Sequence, residues 1–129
     1  MQVTPFLMFQ GDAEAAIDFY RGLFPEFEVV ELTRWGAEGP GKEGSIYQAS
    51  LSIAGQTVRC FDSPPVHDFG FTPSFSFFID CDDEAQIDAL WAALSDGGRA
   101  LMGIGDHGFS RRFGWVQDRF GISWQLNLP

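Results

Sequence analysis

Cysteine is scarce in this chain: there are two in 129 residues, Cys60 and Cys81, and they form no CxxC pair. A chain long enough to build its own core needs no disulfide staple, so both thiols are expected reduced, with Cys60 buried. Histidine is equally rare. His67 and His107 are the only two, and each stands beside an acid, Asp68 and Asp106. Both lie in predicted loops, and they leave two candidates for a general base, with His107 favoured because its loop is placed to close over a cavity. Basic residues number 8 against 18 acidic ones, for a formal net charge of −10 and a pI near 4.3. Such a balance repels phosphate backbones and anionic surfaces, and it excludes nucleic acid and membrane as expected partners. No apolar run approaches the ~20 residues that span a bilayer, and the opening MQVTPFLMF lacks the basic and long apolar regions of a secretory signal. The expectation is a soluble, cytoplasmic protein.

What the chain does have is a repeat. Asp12 to Asp18 (DAEAAID) overlays Asp82 to Asp88 (DDEAQID), 70 positions on, with five of seven residues the same. An apolar strand-like run precedes each copy: TPFLMF from Thr4 to Phe9, and SFSFFI from Ser74 to Ile79. At 129 residues and 45% hydrophobic the chain suits one domain, residues 1–129. That domain divides into a first module over about residues 1–63, a Pro-rich linker 64–72 and a second module over about 73–129. An internal pseudo-twofold puts any ligand site where the halves meet.

Each module reads as β-α-β-β-β, giving an α+β fold of tandem βαβββ modules in which a curved mixed sheet carries its helices on the convex face. In the first, Val3 to Phe9 is a strand and Asp12 a helix N-cap. Ala13, Ala16, Ile17, Tyr20 and Phe24 form the apolar stripe, and Pro25 stops the helix. Strands follow over Phe27–Thr33, Ser45–Ile53 and Gln56–Asp62, the last two joined by a tight Ala54-Gly55 turn. In the second, Asp82 or Asp83 caps a helix with Ile87, Leu90, Trp91 and Leu94 on its dry side, ended by Gly97-Gly98. Its strands are Arg99–Met102, Phe109–Gln117 and Ile122–Leu128.

Alternation along the strands assigns faces. Ile122, Trp124, Leu126 and Leu128 alternate with Ser123, Gln125 and Asn127, so one face is apolar and belongs under a helix. The other faces a cavity, together with Ser74, Ser76, Phe78 and Asp80, and with Thr4, Phe6, Met8 and Gln10 of the first module. Matching Gly55 to Gly121 pairs Arg59 with Gln125 and Thr57 with Ser123. Most of the 14 phenylalanines must be core. Phe6, Phe78, Trp35 and Trp115 are the aromatics expected to line a pocket. The GxGxxG from Gly103 to Gly108 leads towards a strand, whereas a nucleotide site needs a helix after it.

GDAEAAIDFYRGLF, from Gly11 to Phe24, resembles the first helix of the vicinal oxygen chelate superfamily, the glyoxalase, bleomycin-resistance and extradiol-dioxygenase group. TPFLMFQGDAEAAIDFY, FTPSFSFFIDCDDEAQIDALWAAL and FGWVQDRFGISWQL resemble its PhnB-like, demethylubiquinone methyltransferase-like subgroup. Metal-dependent members hold a divalent ion with one side chain from the first and one from the last strand of each module. The resemblance places those positions at Thr4 or Pro5, Arg59, Ser74 and Gln125, with Cys60 or Asp62 as alternatives to Arg59. Hydroxyls, a neutral amide and a guanidinium do not make a dication site. The resemblance therefore implies a metal-free, cofactor-free homodimer that binds a small molecule, with Thr4, Arg59, Ser74, Ser76, Trp115 and Gln125 as ligand-binding residues. A metal-dependent enzyme of glyoxalase, dioxygenase or lyase type, with metal at Asp62, His67 or His107, and a non-catalytic drug-sequestering or regulatory dimer are the alternatives.

Overall fold

The computed structural model describes residues 1–129. The chain divides into two compact units, Met1–Gly70 and Phe71–Pro129. Each is a βαβββ unit with its own four-stranded mixed sheet. The first runs β1 (Phe6–Phe9), α1 (Ala13–Leu23), β2 (Phe27–Arg34), β3 (Ile46–Ile53) and β4 (Gln56–Asp62), with strand order β1-β4-β3-β2. The second runs β5 (Ser76–Asp80), α2 (Glu84–Ser95), β6 (Arg99–Gly105), β7 (Arg112–Gln117) and β8 (Ser123–Leu128), with order β5-β8-β7-β6. In each sheet the first strand lies parallel to the last and the other pairs are antiparallel. No helix is long and apolar enough to cross a membrane.

Period-two alternation sets the core of each unit. In the first, Leu7, Phe9, Ala49, Leu51, Ile53, Val58 and Cys60 are buried, and Ala13, Ala16, Ile17, Tyr20 and Phe24 are buried with them. In the second, Trp124, Leu126, Leu128 and Val116 are buried along with Ile87, Leu90 and Leu94 of α2. Gly114 admits α2 closely: a Cβ there would stand 2.6 Å from Cζ3 of Trp91. The β3–β4 hairpin turns on Ala54 and Gly55, both at positive φ (49° and 85°), the geometry of a two-residue primed turn.

Strand ends differ from the sequence expectation for local reasons. β1 starts at Phe6, after Pro5, which has no N–H for the ladder and serves it only through its carbonyl, accepting from Arg59 N at 2.9 Å. β5 starts at Ser76 because Pro73 to Phe75 form a turn in which Phe75 N donates to Thr72 O at 3.4 Å. Ser74 thus stands before the strand. β6 runs on to Gly105, its glycines absorbed by two irregularities in the pairing with β7. β7 begins late, at Arg112, because Asp106 accepts from Gly108 N at 2.8 Å and turns the chain.

The cap of α1 also departs from the expectation. Asp12 precedes the helix but makes no side-chain cap. The carboxylate comes from the end of β4: Asp62 Oδ1 accepts from Gly11 N and Ala13 N, both at 2.9 Å, and Oδ2 accepts from Ile46 N at 2.9 Å. Three orphan backbone donors converge on one carboxylate, itself 2% exposed. Capping of α2 is local: Asp83 Oδ1 accepts from Gln86 N at 2.8 Å, and Gln86 Oε1 accepts from Asp82 N at 2.7 Å.

Asp62→Ala leaves three N–H groups without their acceptor, those of Ala13 and Ile46 buried, and is expected to lower unfolding free energy by about 3 kcal/mol, read as a fall in the urea midpoint. Asp12→Ala, at the position that sequence favours as the cap, is expected to change it by less than about 0.5 kcal/mol. Equal effects of the two would remove Asp62 from the role given to it.

Candidate functional site

The face of each sheet away from its helix carries the candidate residues. In the first unit, β-register sets Phe6 beside Arg59, Arg59 beside Ser50, and Ser50 beside Glu31. The Arg59 guanidinium lies over the Phe6 ring, 5.5 Å from its centroid, a cation–π contact. Within this unit no carboxylate comes within salt-bridge distance of Arg59, whereas Arg34 is forked onto Glu14 and Arg21 lies by Asp18. Arg59 is half-buried, and its charge is unneutralised by any acid of its own unit. Thr4 precedes β1, half-buried, on the same side by alternation.

In the second unit three rows cross β5, β8, β7 and β6 on this face. The first is Ser76, Ser123, Gln117 and Arg99; the second Phe78, Gln125, Trp115 and Met102; the third Asp80, Asn127, Phe113 and Gly105. Gln125 Nε2 donates to Ser76 Oγ at 2.7 Å. Trp115 Nε1 donates to Ser123 Oγ at 2.9 Å, and Ser123 Oγ donates to Pro73 O at 3.1 Å, which pins the indole. Ser76, Trp115 and Gln125 are therefore brought together. Ser74 is not among them, since its hydroxyl lies 3.0 Å from Thr72 Oγ1 in the turn before β5.

Other sequence candidates have different duties. Trp35 is an anchor for the Gly-rich loop: its Nε1 donates to Asp62 O at 2.7 Å, and Gly39 and Gly41 press so close that a Cβ on either would collide with the indole. Asp62 is consumed by its three amide bonds, and Cys60 points into the core, so neither is an open ligand position. His107 does not pair with Asp106, whose carboxylate turns to Gly108 N; its Nε2 instead lies 2.7 Å from Gly103 O. His67 rests on Phe69, ring centroids 5.0 Å apart. The GxGxxG segment forms the end of β6 and the loop into β7, with no helix after it. Arg112 is held by Asp88 of α2 at 2.8 Å.

Alternation along FGWV places Phe113 on the helix-free face with Trp115, and sequence reasoning gave it no role. Phe109 packs on it at 4.9 Å, His107 edge-on at 5.9 Å and Phe78 at 6.4 Å between centroids. This cluster buries Phe113 and gives the face an apolar flank. Ser123, also passed over, orients Trp115.

Burial pushes the Cys60 thiol up to about 12, with the Asp62 charge adding to it, and pushes Cys81 up to about 11. Arg34, through its hydrogen bond and its charge, holds the Glu14 carboxyl below the usual carboxylate range. Within either unit, no three His, Cys, Asp or Glu side chains are grouped to hold a metal ion.

Two βαβββ units in tandem, each with a parallel first-to-last strand pair, define the glyoxalase and fosfomycin-resistance class, the vicinal oxygen chelate fold. Within it, the family described as 3-demethylubiquinone-9 3-methyltransferase matches residues 1–127, and the chain belongs to that PhnB-like family. A PhnB protein from Bacillus cereus is 43% identical, with a TM-score of 0.95 and 100% of both chains covered. Protein YjdN of Escherichia coli (strain K12) is 23% identical over 143 residues, 99% of this chain and 95% of that one. The fosfomycin resistance protein FosX of Listeria monocytogenes, solved with Mn(II) and a dihydroxypropylphosphonic acid, shares the fold at 12% identity and a TM-score of 0.67, covering 100% of this chain and 92% of that one.

Neither thiol is expected to react with Ellman's reagent at pH 8 in the native protein, and both are expected to react once guanidinium unfolds it. The sign follows from the raised values. Their contribution to stability is full below about pH 8.5, the unfolded thiol value, and declines as pH rises towards 11 to 12. A fast native reaction at pH 8 would show an accessible thiolate.

Proposed function

We propose that this protein binds a small anionic molecule on its helix-free sheet face, without a metal ion and without transferring methyl groups. The observation that carries the reading is Arg59. It is a permanent cation with no acid of its own unit to neutralise it, its guanidinium set over Phe6, at one of the positions that the superfamily resemblance offers for a metal ligand. A guanidinium meets a carboxylate or phosphonate with paired, charge-assisted hydrogen bonds. Phe6 supplies an apolar surface for the rest of such a molecule.

The donor chemistry supports the metal-free part. Thr4, Arg59, Ser76 or Ser74, and Gln125 offer neutral oxygens and one positive charge, whereas a divalent ion is held by imidazole, carboxylate or thiolate. FosX, of the same fold, was solved with Mn(II) and a phosphonic acid; in this protein an anion would meet Arg59. The methyltransferase description finds little support in the strand-to-helix turns. A nucleotide-like methyl donor needs a glycine-rich turn feeding a helix N-terminus, and these turns carry Asp12 with Asp62 at α1, and Asp82, Asp83 and Glu84 at α2. The same reading pairs two copies of the chain as a homodimer.

The test is thermal unfolding with phenylphosphonate in EDTA, with Mn(II) or Zn(II) alone, and native mass spectrometry of the protein as purified. Phenylphosphonate at about 100 times its Kd is expected to stabilise by about 2.7 kcal/mol. Arg59→Gln is expected to abolish the effect, and the metals are expected to do nothing. A stoichiometric divalent ion in the native spectrum, or stabilisation by metal alone, would replace this reading with metal-assisted chemistry. A single-subunit mass at micromolar protein would remove the homodimer.

A further inference from the structure

The helix-free face of the second unit closes nearly all of its polar groups on one another. Asn127 Nδ2 donates to Asp80 Oδ1 at 3.0 Å, and Gln117 Nε2 donates to Gly121 O at 2.9 Å while its Oε1 accepts from Arg99 at 3.2 Å. Trp115 and Ser123 are closed in series onto Pro73 O. Gln125 and Asn127 are the two amides of this face with an open edge, and Gln125 is the one with an aromatic side chain on both sides in its row. One N–H goes to Ser76 Oγ, which leaves its other N–H and both lone pairs of Oε1 without a protein partner. In register it has Phe78 on one side, 54% exposed, and Trp115 on the other, half-buried and held by its indole N–H.

We propose that Gln125 is the recognition element for a planar, uncharged ligand group carrying an adjacent donor and acceptor: a lactam or carboxamide fused to or borne on an aromatic ring. The inference rests on the small-molecule reading above and is confined to the second unit's own face. An amide edge is matched by another amide edge, N–H to C=O and C=O to N–H, a two-bond pairing that a carboxylate or a simple arene cannot make. Phe78 and Trp115 flank the amide with π surface that suits a flat ring. Charge argues for neutrality, because Arg99, the cation of this face, stands two strands away from Gln125 on β6, and Asp80 lies exposed one row from it. The pinned indole and the bond that Gln125 donates to Ser76 fix the amide in advance, which lowers the ordering cost of binding.

The experiment is a ¹H–¹⁵N correlation titration of the full chain with three probes: 2-quinolinone, its N-methyl derivative, which lacks the donor, and quinoline, which lacks the lactam. 2-Quinolinone is expected to move the Gln125 side-chain amide and Trp115 indole signals and to bind about tenfold tighter than the N-methyl compound, a difference of about 1.4 kcal/mol. Gln125→Met keeps the length of the side chain without its polar edge, and is expected to erase that difference. Ser76→Ala, which frees the amide to rotate, is expected to reduce it. Equal affinity for 2-quinolinone and its N-methyl derivative, or a preference that survives Gln125→Met in a variant with unchanged circular dichroism, would overturn the proposal. Phenylphosphonate in the same series separates the two readings. If it binds through Arg59 and no lactam does, the lactam site alone is lost; if neither binds at millimolar concentration, the small-molecule reading falls with it.

Discussion

A buried carboxylate at the end of β4 organises the first unit. Taken alone, an ionised group in a protein interior is costly, and it is tolerated only when its lone pairs are met by donors. Asp62 meets them with backbone N–H groups from two separate places, the start of α1 and the start of β3, while its own carbonyl receives the Trp35 indole. One side chain thereby fixes the entry of the helix, the entry of a central strand and the anchor of the Gly-rich loop. That arrangement seats α1 on the apolar side and leaves the other side of the sheet free. Asp118 does related work in the second unit, accepting from Phe120 N at 2.8 Å, Ile122 N at 3.1 Å and Trp124 Nε1 at 2.9 Å, so that the β7–β8 turn and the largest core side chain share one carboxylate.

The two acids satisfy the same physical requirement by different routes. In the first unit the β3–β4 turn needs no side chain, because Ala54 and Gly55 take up positive φ, and the acid is used at the helix entry. In the second unit the helix entry is closed locally by Asp83 and Gln86, and the acid is used in the turn. A repeat of architecture is thus a repeat of obligations: each helix N-terminus and each hairpin must have its donors met. Which residue meets them differs between the copies.

Alternation and helical spacing made the architecture legible, since both are local periods that a buried face imposes on the sequence. The stripe Ala13, Ala16, Ile17 and Tyr20, and the alternation from Ile122 to Leu128, land on the core as read. Long-range contacts left no such mark. Asp62 reaches Ala13 across 49 positions, and nothing local distinguishes it from a solvated acid, whereas Asp12 has every local feature of a cap and is not one. The candidate site was legible to the same degree. Facing was read correctly at Phe6, Phe78 and Gln125, yet Ser74 was carried over by the 70-residue repeat of the helices. The strands keep another spacing. With Arg59 matched to Gln125, their parallel partners are Phe6 and Phe78, 72 apart, so the counterpart of Thr4 is Ser76. Turns of unequal length shift the offset, and a motif in a helix cannot set the register of a strand.

The duplicated framework leaves chemistry to the helix-free faces, where side chains owe little to packing. On the first, Arg59 places a fixed charge beside an aromatic ring, with Glu31 two strands away and unpaired with it. On the second, the corresponding position holds a neutral amide between two aromatic rings, in a surface whose other polar groups bond to one another. The attraction of a charge reaches over several ångströms before any hydrogen bond forms, whereas a neutral amide acts only in contact and is selective only when held in place. Ser76 and the pinned Trp115 supply that restraint to Gln125, and Arg59 has only the face of Phe6. The first face is therefore suited to attract, and the second to discriminate.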